Sequence, residues 1–275
     1  MPRRTFAAPF TYPAEGSVIT DRQYELYLGD CLEIMKSIPK RSIDMILCDL
    51  PYGVTQNKLD IVIPFENLWS EYKRIIKQQG CIALFAQGTF YVELVQSNRP
   101  MFRYDLVWDK VLATGFLNAN RMPLRRHEQI AIFYEKLPEY HPQFTEGQPL
   151  HSKGKTYLEK EHKNNNYGQF HMTDDLRKGS TQKYPTSIVR VPKPHPGVAL
   201  HRTEKPIELL KWLIFTYSSA GDRILDNCMG AGGCGVACAE TGRYFIGIEK
   251  DPDCFQIAEN RIMGAYKKSC NLLAK

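Results

Sequence analysis

The sequence predicts an α/β fold in which strands and helices alternate around a mostly parallel sheet. Short apolar runs that are typical of buried strands are separated by stretches with helical periodicity, before and after a polar central region. A glycine-rich turn at residues 230–235 joins a predicted strand to a predicted helix, as nucleotide-binding loops do. With 275 residues, the chain can form one such domain carrying an insertion.

The first half of this domain is predicted at residues 23–135, after an aperiodic, proline-rich arm over residues 1–22. Alternating or continuously apolar runs predict five strands, at residues 24–28, 43–48, 81–85, 104–109 and 128–134. Amphipathic spacing predicts three helices between them, at residues 32–38, 65–79 and 89–96. Strands that alternate with helices indicate parallel pairing.

The composition changes over residues 136–196, which have few apolar runs and little periodicity. This segment contains ten Lys and Arg residues against six Asp and Glu, so it holds most of the net charge of +6. Long segments without regular structure are uncommon inside compact domains and are usually functional or disordered. The basic charge and the scattered aromatic residues favour a binding insertion over a solvated loop.

The α/β pattern resumes in the second half of the domain, at residues 197–275. Two strands are predicted, at residues 223–226 and 244–249, and three helices, at residues 205–215, 236–240 and 255–263. The glycine-rich turn follows the first of these strands, so the predicted nucleotide loop comes late in the chain.

Composition excludes several classes of protein. No apolar run approaches the roughly 20 residues of a membrane helix, and the N-terminus lacks the apolar core of a signal peptide, so a cytoplasmic protein is expected. The eight cysteines form no C-x-x-C pair and no second cluster at zinc spacing. They are interpreted as free thiols in a reducing compartment, and no metal site is predicted.

The glycine-rich turn predicts a nucleoside-containing ligand. Gly230, Gly232 and Gly235 follow the G-x-G-x-x-G pattern, which permits a sharp turn and a close approach of the backbone to a ligand. Glu249 lies 19 residues after Gly230 and ends the next predicted strand, where a carboxylate can bind ribose hydroxyls. NAD, FAD and S-adenosylmethionine all remain compatible with this pattern alone.

A second motif, Asp49-Leu-Pro-Tyr-Gly53, directly follows the strand at residues 43–48. Pro51 restricts its own φ and favours an extended Leu50, so the backbone here is rigid. Asp49 and the Leu50 carbonyl offer two hydrogen-bond acceptors, and Tyr52 offers a flat ring. Two acceptors beside a stacking ring suit a planar group that bears an NH₂.

Together the two motifs resemble those of the S-adenosylmethionine-dependent DNA amino-methyltransferases, which methylate an exocyclic nitrogen of adenine or cytosine. The order, with the catalytic motif first and the cofactor loop last, is similar to the permuted β class of that family. The resemblance implies a Rossmann-like methyltransferase sheet that is circularly permuted in sequence. It also implies that residues 136–196 form a loop-rich target recognition region.

The resemblance assigns roles to residues. The catalytic motif would comprise Asp49, Leu50, Pro51 and Tyr52, in which Leu50 stands where the family commonly has Pro. The cofactor would be bound by residues from four segments: Asp30, Cys31, His201, Thr203, Lys205, Asp226, Cys228, Gly230, Gly232, Glu249 and Lys250. Cys228 stands where the family usually has Phe, so the packing under the cofactor departs from the family pattern.

The activity implied by the resemblance is methylation of adenine N6 in a base flipped out of double-stranded DNA. Asp at the first motif position accompanies adenine more often than cytosine in that family, although N4 methylation of cytosine remains an alternative. The sequence does not fix the oligomeric state, but members of that family are often dimers, so the resemblance is compatible with a homodimer. An NAD-dependent oxidoreductase is the alternative from another class, and it would leave residues 49–53 without a role.

Overall fold

The computed structural model describes residues 18–21, 23–54, 60–149, 161–166, 168–171, 179–193 and 204–273. The chain divides into two compact units, one of residues 1–141 and 187–275 and the other of residues 142–186. Most of the predicted N-terminal arm lies outside the described residues, as do His201 and Thr203.

The larger unit contains a nine-stranded sheet. Its strands are β1 (Val18–Thr20), β2 (Tyr24–Leu28), β3 (Ile43–Cys48), β4 (Ile76–Ala86), β5 (Phe102–Thr114), β6 (Arg125–Phe133), β11 (Ile188–Arg190), β12 (Arg223–Asp226) and β13 (Tyr244–Glu249). Their order is β1-β2-β13-β12-β3-β4-β6-β5-β11.

Five neighbouring strands of this sheet, β2, β13, β12, β3 and β4, are mutually parallel. β6 pairs antiparallel with both β4 and β5, and β1 pairs antiparallel with β2. The early strand β2 lies beside the late strand β13, and the strand before the glycine turn lies in the middle of the sheet. Strands from the two ends of the chain are therefore neighbours in the sheet.

Six α-helices are found among the described residues of the larger unit, and each forms where apolar residues repeat at helical spacing or small residues allow close packing. They are α1 (Cys31–Met35), α2 (Phe65–Ile75), α3 (Gly88–Ser97), α4 (Ile207–Tyr217), α5 (Gly233–Thr241) and α6 (Pro252–Leu273). Leu68, Trp69, Tyr72 and Ile75 form the buried face of α2. None of these six helices is long and apolar enough to cross a membrane.

The hydrophobic core lies on both faces of the sheet. One cluster contains Phe85 and Trp108 with side chains of α4, α5 and α6, and the other contains Tyr72 and Phe133 with side chains of α2 and α3. Because both faces are covered, β3 is apolar at almost every position, as buried parallel strands are. The carboxyl ends of its parallel strands are thus held at one edge of a rigid sheet.

Several boundaries differ from the sequence prediction, and α6 runs over Pro252–Leu273 where residues 255–263 were predicted. α2 ends at Ile75 and β4 begins at Ile76, four residues before the predicted helix end, because two adjacent apolar residues satisfy either pattern. β5 and β6 extend well beyond their predicted ends, to Thr114 and back to Arg125, so that they form a long hairpin.

The smaller unit, residues 142–186, has little regular structure among its described residues. It contains two short antiparallel pairs, β7 (Thr145–Glu146) with β10 (Gln182–Lys183), and β8 (Glu161–Asn164) with β9 (Gly168–His171). Phe144 and Tyr184 form an aromatic contact within it, with ring centroids 5.1 Å apart.

Candidate active site

Four parallel neighbours in the sheet each end in or just before an acidic residue at one edge. Asp30 follows β2, Glu249 ends β13, Asp226 ends β12 and Asp49 follows β3. In parallel α/β sheets this carboxyl edge is where ligands bind. The four carboxylates, which are distant in sequence, are therefore gathered by topology.

A cavity of about 600 Å³ opens at this edge. Asp30, Asp49, Gly230 and Glu249 line it, so both sequence motifs face one space. A smaller neighbouring cavity of about 160 Å³ is lined by Asp49, Asp226 and Gly230 among others. The larger volume lies within the range of small-molecule and cofactor sites.

The motif at residues 49–53 is fixed by hydrogen bonds to both carboxylate oxygens of Asp49. The Tyr52 hydroxyl donates to Asp49 Oδ1 at 2.8 Å, and the Lys205 ammonium donates to Asp49 Oδ2 at 2.5 Å. Tyr52 stacks on Phe90 with ring centroids 4.8 Å apart, and Leu50 is buried. Burial, with the nearby Asp49 charge, raises the pKa of Tyr52 well above its usual value, so the hydroxyl stays a donor.

Lys205 links Asp49 to a second, buried carboxylate. Its ammonium lies 3.3 Å from Glu128 Oε2, and Glu128 also pairs with Lys110. The Lys205, Glu128 and Lys110 side chains are each less than a tenth exposed. We call this alternating set, Asp49–Lys205–Glu128–Lys110, the charge chain.

The pKa values in the charge chain follow from pairing that outweighs burial. Burial would lower the pKa of Lys205, but the carboxylates of Asp49 and Glu128 raise it above its ordinary value. Burial would likewise raise the pKa of Glu128, but Lys205 and Lys110 hold it below its usual range. These members therefore remain ionised, and each buried charge has an opposite neighbour.

The glycine turn has the backbone geometry that the fingerprint predicts. Gly230 and Gly232 both have positive φ, at +51° and +79°. A Cβ at Gly232 would lie 2.9 Å from the Cβ of Ala258, whereas a Cβ at Gly230 would meet nothing within 4 Å. Gly232 is thus required for packing against α6, and Gly230 leaves open space beside the cavity.

Glu249 is held by the turn it faces. Its Oε2 accepts from the Gly230 amide at 2.8 Å, and its Oε1 accepts from the amides of Lys250 and Asp251 at 2.9 and 2.8 Å. A carboxylate has about four acceptor sites, so these three bonds leave capacity for a ligand hydroxyl. The carboxylate therefore orients the turn and remains available to the cavity.

Asp30 and Lys250 meet at the rim of the cavity. Asp30 Oδ1 accepts from the Leu32 amide at 3.0 Å and caps α1, and its Oδ2 lies 3.3 Å from the Lys250 ammonium. Both side chains are exposed, so this pair contributes little to stability. Because Lys250 follows Glu249 in the chain, the pair is placed to contact a ligand that extends from the Glu249 carboxylate to the rim.

Asp226 and Cys228 both line the smaller cavity. Burial, with the charges of Asp49 and Glu249, raises the pKa of Asp226 to about 7, even though its Oδ1 accepts from the Cys228 amide at 3.1 Å. Cys31 and Cys228 both line the larger cavity. A hydrogen bond with the Cys228 thiol is the main reason that the pKa of Cys31 is lowered.

The structure adds site residues that the sequence analysis did not single out. Glu128, Trp108, Lys193 and Gln87 line the cavity on the side of the antiparallel strands. Burial and the nearby Lys110 charge lower the pKa of Lys193. Glu128 could have been found from the sequence, because it is a carboxylate at the start of a predicted strand whose other residues are mostly apolar. Within the described part of the chain, no cluster of His, Cys, Asp or Glu could hold a metal ion.

The lining fits the cofactor that the sequence implied. S-adenosylmethionine carries a ribose with hydroxyls and a cationic sulfonium, and the cavity offers a carboxylate with spare acceptor capacity and further acidic groups nearby. The open space beside Gly230 is one that a Cβ would enter. Lys205, expected among the cofactor residues, lines the cavity and donates to Asp49.

Comparison with known proteins gives consistent results. A family model described as DNA methylase, for N6 and N4 methyltransferases, matches residues 43–260. The type II methyltransferase M.HinfI of Haemophilus influenzae is 27% identical over 270 residues, covering 89% of this chain and 69% of that protein. The DNA adenine methyltransferase YhdJ of Escherichia coli K12 is 26% identical over 267 residues, covering 90% and 85%.

Solved structures confirm the predicted fold. The M1.HpyAVI–SAM complex aligns with a TM-score of 0.58 at 20% identity, covering 87% of this chain and 98% of that one. The cytosine-N4-specific PvuII DNA methyltransferase aligns with a TM-score of 0.61 at 13% identity, covering 90% and 93%. The sheet is therefore a Rossmann-like methyltransferase sheet, and the chain belongs to the DNA methylase family of N6 and N4 methyltransferases.

Proposed function

We propose that this protein transfers a methyl group from S-adenosylmethionine to the exocyclic N6 of adenine in double-stranded DNA. The observation that carries the proposal is that Asp49, fixed by Tyr52 and Lys205, faces the same cavity as the Gly230 turn and Glu249. A group that can accept from an NH₂ and a nucleoside-binding turn thus share one space.

The cofactor residues have separate tasks. Glu249 would accept from the ribose hydroxyls of the cofactor, and the Gly230 backbone would allow the cofactor to approach closely. Asp30 would lie near the adenine ring of the cofactor. When bound, S-adenosylmethionine supplies an activated methyl group on a sulfonium. Of the predicted cofactor residues, His201 and Thr203 lie outside the described residues, and their roles stay predictions.

The target nitrogen needs activation because its lone pair is delocalised into the base. Hydrogen bonds from the NH₂ to Asp49 and to the Leu50 carbonyl favour a more pyramidal nitrogen, whose lone pair can then attack. Tyr52 provides a stacking surface for the base, worth about 1–3 kcal/mol. Asp49 also stabilises the positive charge that develops on the nitrogen before it loses a proton. Positioning supplies much of the remaining rate increase.

The target base must leave the duplex to reach this cavity. Its exocyclic nitrogen is engaged in a base pair, and enzymes that modify such atoms flip the nucleotide into a pocket. The cavity lining includes Gln87 and Lys193, which offer polar groups to a flipped base.

Adenine is favoured over cytosine on two grounds. Asp49 occupies the motif position at which the family more often has Asp with adenine. The relative YhdJ is named an adenine methyltransferase at 26% identity over most of both chains. N4 methylation of cytosine, the activity named for the PvuII structure, remains the alternative within the family.

Nucleoside analysis tests the proposal directly. Unmethylated DNA would be incubated with the protein and methyl-labelled S-adenosylmethionine, then digested, and its nucleosides separated by mass spectrometry. Label on deoxyadenosine is expected. Label on deoxycytidine would overturn the adenine assignment alone, and the absence of label from every nucleoside would overturn DNA as the substrate.

Three finer expectations are part of this proposal. Residues 136–196 would act as the target recognition region, because they are basic and interrupt the α/β pattern. Membership of the permuted β class is supported by the order of the motifs and the position of β2 beside β13. Self-association into a homodimer can be tested by sedimentation at several concentrations.

A further inference from the structure

The hairpin between β5 and β6 exposes an unusual set of apolar side chains. We define the hairpin tip as residues 112–124. Phe116 and Leu117 are 76% and 82% exposed, and Leu112, Met122 and Leu124 are exposed as well. Single exposed hydrophobic residues are normal, but five within one short hairpin indicate an interaction surface.

The charge of this hairpin has one sign. No Asp or Glu occurs between Asp109 and Glu128, whereas Arg121, Arg125 and Arg126 do. Arg126 is neutralised by Asp109 at 2.8 Å, but Arg121 forms no ion pair with any described residue. The combination of unopposed cations and apolar side chains suits a polyanion with exposed apolar faces.

The hairpin rises from the wall of the active-site cavity. Trp108 on β5 and Glu128 on β6 line the cavity, and so does Gln87. Arg125 donates to Gln87 Oε1 at 2.7 Å, which ties the base of the tip to the cavity edge. A duplex that delivers a base to the cavity would therefore also meet the tip.

The hairpin contains a residue with a strained backbone. Val111 has a φ of +66°, which is a genuine outlier for a β-branched residue. Asp109 Oδ1 accepts from the Val111 amide at 2.9 Å and also pairs with Arg126. Strain that persists under such support is commonly found at functional sites.

We propose that the hairpin tip is a DNA-contacting element of this protein. Arg121 and Arg125 would contact phosphates, and Phe116 and Leu117 would pack against the bases left unstacked when the target leaves the duplex. Proteins that distort DNA use apolar side chains in this way, and phosphate contacts fix their register. The inference rests on the proposed function, and it assigns DNA contacts outside the predicted target recognition region.

Two variants separate the apolar and ionic parts of the proposal. Phe116→Ser/Leu117→Ser should lower the methylation rate of unmethylated plasmid DNA at least tenfold under subsaturating DNA. Arg121→Ala should weaken binding to a 30-base-pair duplex and reduce the slope of log affinity against log salt by about 0.9. Affinity for S-adenosylhomocysteine, measured by calorimetry, should be unchanged in both variants.

A matched control comes from α3 and the residues that follow it. Val92 is exposed on α3, and Arg99 is exposed shortly before the start of β5. Val92→Ser and Arg99→Ala should leave DNA binding and methylation unchanged. Equal losses in these controls would mean that the effect is not specific to the tip, and the inference would be wrong.

The remaining outcomes separate this inference from the proposed function. Hairpin variants that bind and methylate DNA like the wild type would overturn the inference and leave the proposed activity intact. A change of oligomeric state with DNA affinity retained would assign the tip to a second copy of the chain, and this also overturns it. If the wild type methylates nothing but these substitutions still weaken its binding to DNA, the proposed activity fails and the DNA contact stands.

Discussion

The ammonium of Lys205 lies 2.5 Å from the carboxylate of Asp49, a residue 156 positions earlier in the chain. Lys205 is also 3.3 Å from Glu128, so it is placed between two carboxylates. Lys205 and Tyr52 therefore fix the orientation of the Asp49 carboxylate. The geometry of the motif depends on tertiary contacts as much as on its own rigid backbone.

Replacing Asp49 should separate chemistry from cofactor binding. Asp49→Ala is expected to abolish methyl transfer while affinity for S-adenosylmethionine stays within a few fold, because Asp49 is assigned to the base rather than to the ribose. Asp44→Asn is the matched control, since Asp44 lies on the preceding strand and pairs with Lys77. An equal loss of cofactor affinity in Asp49→Ala would show that the role of Asp49 is misassigned.

The charge chain should behave as a coupled unit. Lys205→Met leaves Asp49 and Glu128 without the cation between them, and breaking a buried pair commonly costs about 3–5 kcal/mol of unfolding free energy. Adding Asp49→Asn removes the carboxylate that Lys205 neutralised and should recover part of that stability, without recovering kcat. Urea unfolding of the two single variants and the double variant measures the coupling. Additive losses of unfolding free energy would show that the members of the charge chain are not coupled.

Substitution of the two glycines of the turn should affect different properties, cofactor affinity at Gly230 and stability at Gly232. Gly230→Ala places a Cβ in open space, so it should cost only the roughly 1–2 kcal/mol of a left-handed alanine while weakening S-adenosylhomocysteine binding at least tenfold. Gly232→Ala meets Ala258 and should mainly destabilise the fold. Thermal unfolding and calorimetry on both variants check the contrast. Intact cofactor affinity in a folded Gly230→Ala protein would contradict the placement of the cofactor.

The contribution of the smaller unit is tested through salt dependence. Neutralising several basic residues of the insertion should weaken DNA binding and reduce the salt slope by about 0.9 for each phosphate that is no longer neutralised. The candidates are Lys153, Lys155, Lys160, Lys163, Arg177, Lys178 and Lys183, of which Lys163 and Lys183 lie within the described residues. Lys267 and Lys268, exposed on α6, provide a control for the change in charge. An unchanged slope would favour a solvated loop.

Local patterns predicted those parts of the site that depend on short sequence spacing. The glycine turn, Glu249 and the Asp49 motif all lie at strand ends, where alternation and glycine spacing are informative. Glu128 and Lys110 escaped prediction because their pairing with Lys205 arises only when β5, β6 and the segment before α4 meet in space. The resemblance assigned Lys205 to the cofactor, whereas in the structure its ammonium donates to Asp49.

The hairpin shows a second limit of sequence patterns. Residues 112–124 have neither the alternation of a strand nor the spacing of a helix. The sequence therefore predicts shorter strands, at residues 104–109 and 128–134. In the structure, Asp109 accepts from the Val111 amide and pairs with Arg126 across the hairpin. Side-chain contacts between two strands are not encoded in local periodicity.

Asp226 should make the stability of the cofactor-free protein depend on pH. Its pKa is raised from 3.8 to about 7, chiefly by burial, so the folded state binds its proton more tightly than the unfolded state. The associated stability is therefore fully present below pH 4 and is lost as the pH rises through 7, by up to about 4 kcal/mol. Asp226→Asn keeps an oxygen for the Cys228 amide but has no proton to lose.

The variant should accordingly gain stability relative to the wild type between pH 5 and pH 8, by about 2–3 kcal/mol, and should be the more stable protein at pH 8. Urea unfolding at both pH values measures the difference, with Asp253→Asn, an exposed substitution on α6, as the control. Because other groups titrate equally in the two proteins, the difference between them isolates Asp226. A variant that is less stable than the wild type at pH 8 would mean that the ionised carboxylate, rather than the neutral acid, is the form that the fold stabilises.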